Sequence, residues 1–420
     1  MARSEIEICL LTHKNFMERS WISRDKRILQ SIGFRAEILD IESELPSINI
    51  LFNLKKYLKK LRECHIVVSW FSFPSSIFMS KILGIPTIAN AVGYEVASYP
   101  EMSYGLPQNY LARFLLTLAL KSSDAVIAIS RESLRWAYRW SKKPGFVIYE
   151  GIDVEKYDCK AVGGRVMTKD PTVITIAFLG LMNIIRKDIL TLIKSIKIVK
   201  NRYPNIKLYI VGRKMDGYPL LKKLTQELNL NDNIVFTGEI SNEELLKLLC
   251  RADLFIMTSY QEGFPTVACE AAAAGVPLIV SNRPAMNEVF TNENALLVNP
   301  GNPIELANTI IKSLENKTEL AKLAEKAITT VKENFSLDAR KKKMQLFITY
   351  FLKKCLLEIR QNNKYNLYSI KMNYLTIFVL FSFMIPILYL VMKIFESIAK
   401  FIKLKINVEG SIYECARADQ

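Results

Sequence analysis

One segment in the second half of the chain combines two glutamates with a predicted helix start. Residues 259–279 read SYQEGFPTVACEAAAAGVPLI, in which an apolar strand leads into a loop and Pro265 precedes a helix-forming run. Proline is favoured at the first helical position, so the next amides, those of Thr266 and Val267, should point out of the helix. A helix N-terminus is partly positive and binds phosphate readily. The segment therefore predicts an anion site at this helix end.

Two carboxylates flank that helix end. Glu262 precedes the helix and Glu270 lies about 7 Å further along its axis, at about 1.5 Å per residue. Carboxylates repel phosphate but accept hydrogen bonds from hydroxyl groups, each bond contributing about 1.5–3 kcal/mol. Gly263 lets the backbone approach a ligand closely. A nucleotide sugar has the matching arrangement, with sugar hydroxyls and a ribose diol on the two sides of a diphosphate.

Strand-like apolar runs alternate with helical periodicity along most of the chain, which indicates parallel sheets covered on both faces. We therefore expect an α/β protein with two doubly wound domains, and a ligand in the cleft at the carboxyl ends of their strands. The predicted strands are residues 5–11, 35–39, 66–69, 87–91, 125–129, 146–149, 174–179, 208–211, 234–237, 254–257, 278–280 and 295–298.

The domain boundaries follow from a change in composition between the two series of strands. Residues 158–171 contain two glycines and a proline and predict a linker. The expected division is a first domain over 1–165, a second domain over 166–335, a return helix and linker over 336–371, an apolar segment over 372–393 and an amphipathic tail over 394–420.

The apolar segment is a candidate membrane anchor. Residues 374–392 carry no charged side chain, and a membrane-spanning helix needs about 20 apolar residues. Pro386 leaves two alternatives open, a kinked span and a monotopic hairpin. The N-terminal residues lack the basic start and apolar run of a signal peptide, so we expect the protein at the cell membrane with its large domains in the cytoplasm.

The composition narrows the class of protein. Half of the 420 residues are apolar, which excludes a disordered chain. Seven cysteines without C-x-x-C spacing and two histidines predict neither a disulfide scaffold nor a zinc site, and the simplest interpretation is a reducing cytoplasm. No D-x-D cluster is present to chelate a metal with a nucleotide, so we expect neither a metal nor another cofactor.

The net charge of +16 is partly arranged in basic stripes. One stripe covers residues 55–62, and another places Arg135 and Arg139 beside Trp136 and Trp140. A solvated helix face is one interpretation, and contact with anionic lipid or a lipid-linked phosphate is the other. Nucleic-acid binding is not expected, because no groove-reading motif accompanies the charge.

The segment EGFPTVACE, followed by AAAAGVPLIVS, resembles the signature of the family-4 retaining glycosyltransferases of the GT-B fold. The resemblance extends through FLGLMNIIRKD, KLYIVGR, IVFTGEISNEEL and ADLFIMTS upstream and ENALLVNPGNP downstream. In the first half, VIYEGIDVEKY is similar to the segment that precedes the family's second domain. The family resemblance implies two Rossmann-like domains that face a cleft. The first domain would bind the acceptor, and the second would bind the nucleotide-sugar donor.

The resemblance also implies roles for matching residues. Glu262 would hold hydroxyls of the donor sugar and Lys187 would neutralise the leaving diphosphate, so these are the expected catalytic residues. Glu270 would hold the ribose diol. The remaining expected donor-binding residues are Gly180, Arg186, Arg213, Gly238, Ile240, Gly263, Phe264, Thr266, Val267 and Glu288. The weaker acceptor-side candidates are His13 and Gly93.

Several positions depart from the family pattern. The family usually has arginine directly after the glycine at 180, where this chain has Leu181, so Arg186 or Arg213 would have to substitute. The histidine of the family's V-H-G is absent at Val92 and Gly93.

The expected function is retaining, metal-independent hexosyl transfer from a nucleotide sugar to a membrane-associated, lipid-linked or polysaccharide acceptor. The alternatives are an epimerase-like enzyme of the same fold and a non-catalytic homologue that binds partners.

Overall fold

The structure is a computed structural model that describes residues 5–13, 20–41, 53–165 and 170–361, together with Ser382. These residues form two parallel six-stranded sheets flanked by helices, so the expected α/β class is confirmed. Each of the twelve predicted strands has an observed counterpart. The periodicity was informative because both faces of each sheet are covered, which makes the strands short and almost wholly apolar.

The first sheet has the strand order β2-β1-β3-β4-β5-β6. Every residue of β3 and β4 is buried. The strands are β1 (Glu7–His13), β2 (Arg35–Ile41), β3 (Ile66–Trp70), β4 (Thr87–Ala91), β5 (Ala125–Ala128) and β6 (Phe146–Val147). The helices are α1 (Ser20–Ser31), α2 (Leu54–Leu61), α3 (Pro74–Leu83), α4 (Tyr110–Ser122) and α5 (Arg131–Ser141).

The second sheet has the order β12-β11-β10-β7-β8-β9, which is that of a dinucleotide-binding fold. The order reverses between β7 and β10. The strands are β7 (Thr172–Ile176), β8 (Lys207–Val211), β9 (Ile234–Gly238), β10 (Leu254–Met257), β11 (Leu278–Ser281) and β12 (Leu296–Val298). The helices are α6 (Leu181–Arg186), α7 (Ile189–Val199), α8 (Tyr218–Glu227), α9 (Asn242–Arg251), α10 (Thr266–Ala273), α11 (Pro284–Asn287), α12 (Pro303–Glu315) and α13 (Lys317–Asn334).

The predicted return helix is α14 (Leu337–Gln361), which packs back onto the first domain. Arg340 donates two hydrogen bonds to the carboxylate of Asp25 in α1, at 2.6 and 2.8 Å. It also donates to the backbone carbonyls of Ile148 and Tyr149. Phe347 packs on Phe146 with 5.2 Å between the ring centroids. The chain therefore crosses between its domains twice, once before β7 and once in α14.

The cysteines contradict the sequence expectation. Cys9 is bonded to Cys64 and Cys159 is bonded to Cys250, although 55 and 91 residues separate the partners. The expectation failed because spacing along the chain says little about neighbours in a parallel sheet. Cys9 lies on β1, and Cys64 lies just before β3, the neighbouring strand.

None of the helices in the described part of the chain has the length and apolar character needed to cross a membrane. The predicted anchor over 372–393 lies outside the described residues apart from Ser382, and so does the tail over 394–420.

Candidate active site

Two loops meet where the strand order of the second sheet reverses. After β7 the chain passes Gly180 and forms α6, which Lys187 follows at its C-terminus. After β10 it forms the loop that carries Glu262 and then enters α10. Ligands of doubly wound folds bind in the crevice at such a reversal point. The expected catalytic residues Lys187 and Glu262 therefore lie together where a ligand is expected.

Glu262 is held by two cationic side chains. Its Oε2 lies 2.9 Å from Arg186 Nη1, and its Oε1 lies 3.3 Å from Lys187 Nζ. Ser259 Oγ donates to the same Oε1 at 2.9 Å. The three charged side chains are at most 13 % exposed. Two cations and one carboxylate leave a positive charge in a place with little water, which favours an anionic ligand.

Burial and ion pairing act in opposite directions on these groups. Burial alone would raise the pKa of Glu262, but attraction to Arg186 and Lys187 outweighs it, and the pKa lies below its usual value. Burial lowers the pKa of Lys187, and Glu262 offsets part of that effect. Glu262 is therefore ionised at neutral pH, which makes it a strong acceptor of hydrogen bonds from hydroxyl groups.

Arg186 also reaches towards the first domain. Its guanidinium carbon lies 5.4 Å from the ring centroid of Tyr104, in the segment between β4 and α4. Burial raises the pKa of the Tyr104 hydroxyl far above its usual value, so this hydroxyl stays protonated. Of the two arginines considered as substitutes for the one missing at Leu181, Arg186 lies in the charged cluster. Arg213 is 61 % exposed and pairs with Glu239 instead.

The start of α10 differs from the prediction. The helix begins at Thr266, and Pro265 precedes it with φ −81° and ψ 56°. These angles are those of an inverse γ-turn, in which the Thr266 amide donates to the Phe264 carbonyl at 2.9 Å. The expectation that the Thr266 amide is free to hold phosphate was therefore wrong, and Val267 is the second residue of the first turn. The Phe264 ring is buried.

Glu270 lies within α10 and has a neutral partner. Its carboxylate is hydrogen-bonded to the side chain of Tyr157. Burial raises the pKa of Glu270, and the bond to Tyr157 and the nearby Arg24 offset part of the rise. Burial and Glu270 together raise the pKa of Tyr157 far above its usual value, so its hydroxyl is the donor. The Tyr157 hydroxyl therefore binds the Glu270 carboxylate, which is the group that the resemblance implies would bind the ribose diol.

The two domains touch backbone to backbone at expected site residues. A Cβ added to Gly263 would lie 2.1 Å from the Val92 carbonyl oxygen, and one added to Gly93 would lie 3.1 Å from the Gly263 Cα. Ser133 Oγ of α5 also donates to the Val92 carbonyl at 3.1 Å. Only glycine permits so close an approach of two backbones.

Glu288 of the second domain also contacts the first domain. Its carboxylate accepts from the backbone amides of Arg131 and Glu132 at 2.7 and 2.9 Å, at the N-terminus of α5 in the first domain. A carboxylate is favoured at that end of a helix. The resemblance implied a donor-binding role for Glu288, whereas in this closed arrangement its side chain holds the first domain.

The remaining candidates lie at or near the ends of strands or helices and have no hydrogen bond or ion pair to Glu262 among the described contacts. Gly180 precedes α6, and a Cβ there would lie 3.3 Å from Asp216 Oδ1. Gly238 ends β9, where its φ of +78° suits glycine, and Ile240 follows it. His13 ends β1. Across the described ranges, no three His, Cys, Asp or Glu side chains are grouped so that they could hold a metal ion.

Tyr104, Tyr157 and Ser259 are site residues that the sequence did not reveal. Tyr157 lies in the GIDVEKY stretch and Ser259 directly follows the LFIMT run, so both were within matched segments without an assigned role. Tyr104 lies in an irregular segment far along the chain from its contact Arg186, and neither periodicity nor motif marks it.

Residues 168–330 match the family model described as glycosyl transferases group 1. This range contains the charged cluster and both glutamates of the EGFPTVACE segment. The match lies in the second domain, and the similar proteins below are described as glycosyltransferases.

Among known proteins, the putative teichuronic acid biosynthesis glycosyltransferase TuaC of Bacillus subtilis is 26 % identical over 281 residues, covering 64 % of this chain and 66 % of TuaC. The chain spans between about half and two thirds of the length of the first curated relatives it matches. The crystal structure of a glycosyltransferase from Rickettsia africae has a TM-score of 0.67 at 21 % identity, over 83 % of this chain and 99 % of that one. Anabaena HepE, solved with UDP, has a TM-score of 0.64 at 18 % identity, over 82 % of this chain and 100 % of that one. At these identities the two structures show a shared fold.

Proposed function

We propose that the protein is a retaining glycosyltransferase that moves a hexosyl group from a nucleotide sugar to a membrane-associated acceptor, either a lipid-linked glycan or a growing polysaccharide. The observation that carries the proposal is the pairing of Glu262 with Arg186 and Lys187 at the reversal point of the second sheet, beside Tyr104 of the first domain. This cluster combines a carboxylate suited to sugar hydroxyls with two cations suited to a diphosphate.

The chemistry follows from where charge develops. As the bond between the sugar and the phosphate breaks, negative charge grows on the leaving diphosphate, and Lys187 and Arg186 are placed to stabilise it. Such preorganised electrostatic stabilisation is usually the largest catalytic contribution. A bound diphosphate would compete with Glu262 for the two cations and so release its carboxylate for the donor-sugar hydroxyls.

The donor and acceptor assignments rest on different observations. The UDP in the solved HepE structure supports a nucleotide donor, and the teichuronic acid named for TuaC supports a polysaccharide acceptor. The uncharged run over 374–392 supports an acceptor at the membrane.

We also propose that the two domains lie on the cytoplasmic side. The disulfides argue against that location, because they are rare in the cytosol, so thiol labelling in intact cells is the test.

A non-catalytic homologue is the second candidate, and Leu181 in place of the usual arginine is the observation in its favour. The position of Arg186 weakens this alternative, because its guanidinium supplies a second cation next to Lys187. An epimerase-like enzyme would convert the nucleotide sugar into its epimer, with no acceptor and no net release of nucleoside diphosphate. Measuring release with and without an acceptor therefore separates it from a transferase.

Glu262→Gln tests the proposal directly. The purified full chain is incubated with a panel of nucleotide sugars and membrane lipid extracts, and release of nucleoside diphosphate is measured. The variant should lower turnover by about 10²–10³-fold, the usual cost of losing one preorganised polar partner. Glu243→Gln, on the exposed face of α9, is the matched control and should leave turnover unchanged.

Equal turnover in the Glu262→Gln variant and the wild type would contradict the proposed role, and a wild type without turnover on any donor would favour the non-catalytic homologue. Two further properties are tested in the same assay. Full turnover in a chelator would support metal independence. Nuclear magnetic resonance of the product would show whether the anomeric configuration of the donor is retained.

A further inference from the structure

Two neighbouring helices of the first domain present aromatic and arginine side chains on their outer face. We name this surface the aromatic–arginine patch, and its members are Tyr110, Arg113, Trp136, Arg139 and Trp140. Tyr110 is 76 % exposed, and the indoles of Trp136 and Trp140 are partly buried against the hydrophobic core.

The indole N–H groups of Trp136 and Trp140 both donate hydrogen bonds within the protein. Trp136 Nε1 donates to Glu132 Oε1 at 3.0 Å, and Trp140 Nε1 donates to the backbone carbonyl of Val96. The two rings stack with 6.1 Å between their centroids. These bonds fix the indoles as a rigid pair, whose orientation does not depend on a ligand.

The arginines of the patch lie against the rings. The Arg139 guanidinium carbon lies 5.2 and 5.4 Å from the centroids of Trp136 and Trp140. Arg113 of α4 lies 4.6 Å from the Tyr110 centroid and 5.8 Å from that of Trp140 on α5, so it joins the two helices. Cations beside amphipathic rings are typical of a surface that meets lipid headgroups.

The charge around the patch is strongly unbalanced. Residues 110–143 contain seven lysines and arginines but only two acidic residues. Both acids are already paired, Asp124 with Lys81 at 2.8 Å and the buried Glu132 with Arg135 at 3.3 Å. The cationic excess therefore faces solvent, and it complements a negatively charged surface.

The course of the chain places the predicted anchor near this surface. Lys354 of α14 donates to the backbone carbonyl of Asp124 at 3.3 Å, just beyond the end of α4. Helix α14 ends at Gln361, and 12 residues separate it from Tyr374, the first residue of the uncharged run. Such a connection reaches at most about 40 Å at about 3.3 Å per residue. An anchor in a bilayer would keep the first domain beside the same bilayer.

We propose that the aromatic–arginine patch docks on an anionic lipid leaflet. This inference goes beyond sugar transfer, because it assigns a membrane-binding surface to the first domain itself, in addition to the anchor. Tyrosine and tryptophan rings would lie at headgroup level, and the arginines would bind lipid phosphates.

Docking would also orient the cleft towards the membrane. The segment between β4 and α4 contacts both the patch and the charged cluster, through Tyr99 and Tyr104, which are hydrogen-bonded to each other. Tyr99 packs on Trp136 with 5.3 Å between the ring centroids, and Tyr104 packs on Arg186 of the cluster. An acceptor held in the same leaflet would thus meet the protein next to the cleft.

Tryptophan quenching by brominated lipids tests the docking. The full-length chain is bound to vesicles containing brominated phosphatidylglycerol or brominated phosphatidylcholine, and tryptophan emission is recorded. The chain has four tryptophans, of which Trp70 is wholly buried in the first sheet. We expect quenching to be at least about twofold greater in the anionic vesicles, because only they attract the cationic patch. Trp136→Phe/Trp140→Phe should abolish this difference, which assigns it to the patch.

Arg113→Gln/Arg139→Gln should reduce quenching in anionic vesicles to the level of neutral vesicles. Arg202→Gln/Arg251→Gln removes two exposed arginines from the second domain and is the charge-matched control, expected to behave as the wild type. In the wild type, about 0.5 M salt should also remove the anionic excess, because screening shortens the reach of surface charges, and this measurement does not depend on the folding of a variant.

Equal quenching in anionic and neutral vesicles, or an anionic excess that survives in the Trp136→Phe/Trp140→Phe variant, would overturn the docking proposal. The readout needs neither a nucleotide sugar nor turnover. A failure of docking and a failure of sugar transfer are therefore distinguishable.

Discussion

At the scale of single residues, the two glutamates of the EGFPTVACE segment have opposite electrostatic environments. Burial acts on both, but Arg186 and Lys187 outweigh it at Glu262 and lower its pKa, whereas at Glu270 burial prevails and raises the pKa. One glutamate is thus held ionised by the cations beside it, and the other resists ionisation until a ligand changes its surroundings.

Glu270→Gln should therefore raise the stability of the unliganded protein at pH 7. The unfolded chain ionises Glu270 at a lower pH than the folded chain does, so the ionisation of this residue disfavours folding as pH rises. Glutamine keeps an acceptor for Tyr157 without the charge. Urea unfolding at pH 7 should show a higher midpoint for the variant, and the difference should vanish towards pH 4.

At Glu262 the same substitution should have the opposite effect on stability at pH 7. Its lowered pKa contributes stability above the usual carboxylate pKa, and this contribution is lost as pH falls through the lowered value. Glu262→Gln, which leaves two buried cations unpaired, should lower the urea midpoint at pH 7 and approach the wild type in acid. A variant as stable as the wild type at pH 7 would contradict the ion pairing described above.

At the scale of elements, α14 determines how the end of the second domain is fixed to the first. Arg340 and Asp25 are 1 and 2 % exposed. Removing one member of such a pair strands a buried charge, so Arg340→Ala should cost about 3–5 kcal/mol of stability in chemical unfolding. Arg202→Ala breaks an exposed ion pair with Glu315 and is the control, expected to cost less than about 1 kcal/mol. Similar losses in the two variants would show that α14 docks mainly through its apolar side chains.

The disulfides are a second feature at this scale. Of the six cysteines in the described ranges, four are paired, so reduction of the denatured protein should expose four thiols that do not react with a thiol reagent beforehand. Cys159→Ser should lower stability under oxidising conditions by about 2–4 kcal/mol, because the unfolded chain is no longer restrained. Cys355→Ser is the control, since Cys355 belongs to neither of the two disulfides. Seven reactive thiols before reduction would show that the pairs stay reduced.

At the scale of the whole molecule, the closed cleft depends on Gly263. A methyl group there would meet the Val92 carbonyl oxygen, which is backbone and cannot rotate away. Gly263→Ala should hold the domains apart and so lower turnover while each domain stays folded. Small-angle X-ray scattering should show a larger radius of gyration than in the wild type. An unchanged radius with normal turnover would mean that closure tolerates a shift at this contact.

The sequence by itself determined the number and approximate position of the strands, because both sheets are buried on two faces and their strands are short apolar runs. It also gave Glu262 and Glu270 as candidates from their spacing around a predicted helix start, and Lys187 as a candidate from the family resemblance.

Only the tertiary structure decided which groups meet. Arg186 rather than Arg213 joins Glu262, Glu288 binds the first domain, and remote cysteines pair, since each of these contacts links residues far apart in the chain. The Thr266 amide turns back on Phe264 because the torsion angles of Pro265 close a tight turn, which residue type alone does not specify. Local propensity is set by neighbours along the chain, whereas charge pairing and domain contact are set by neighbours in space.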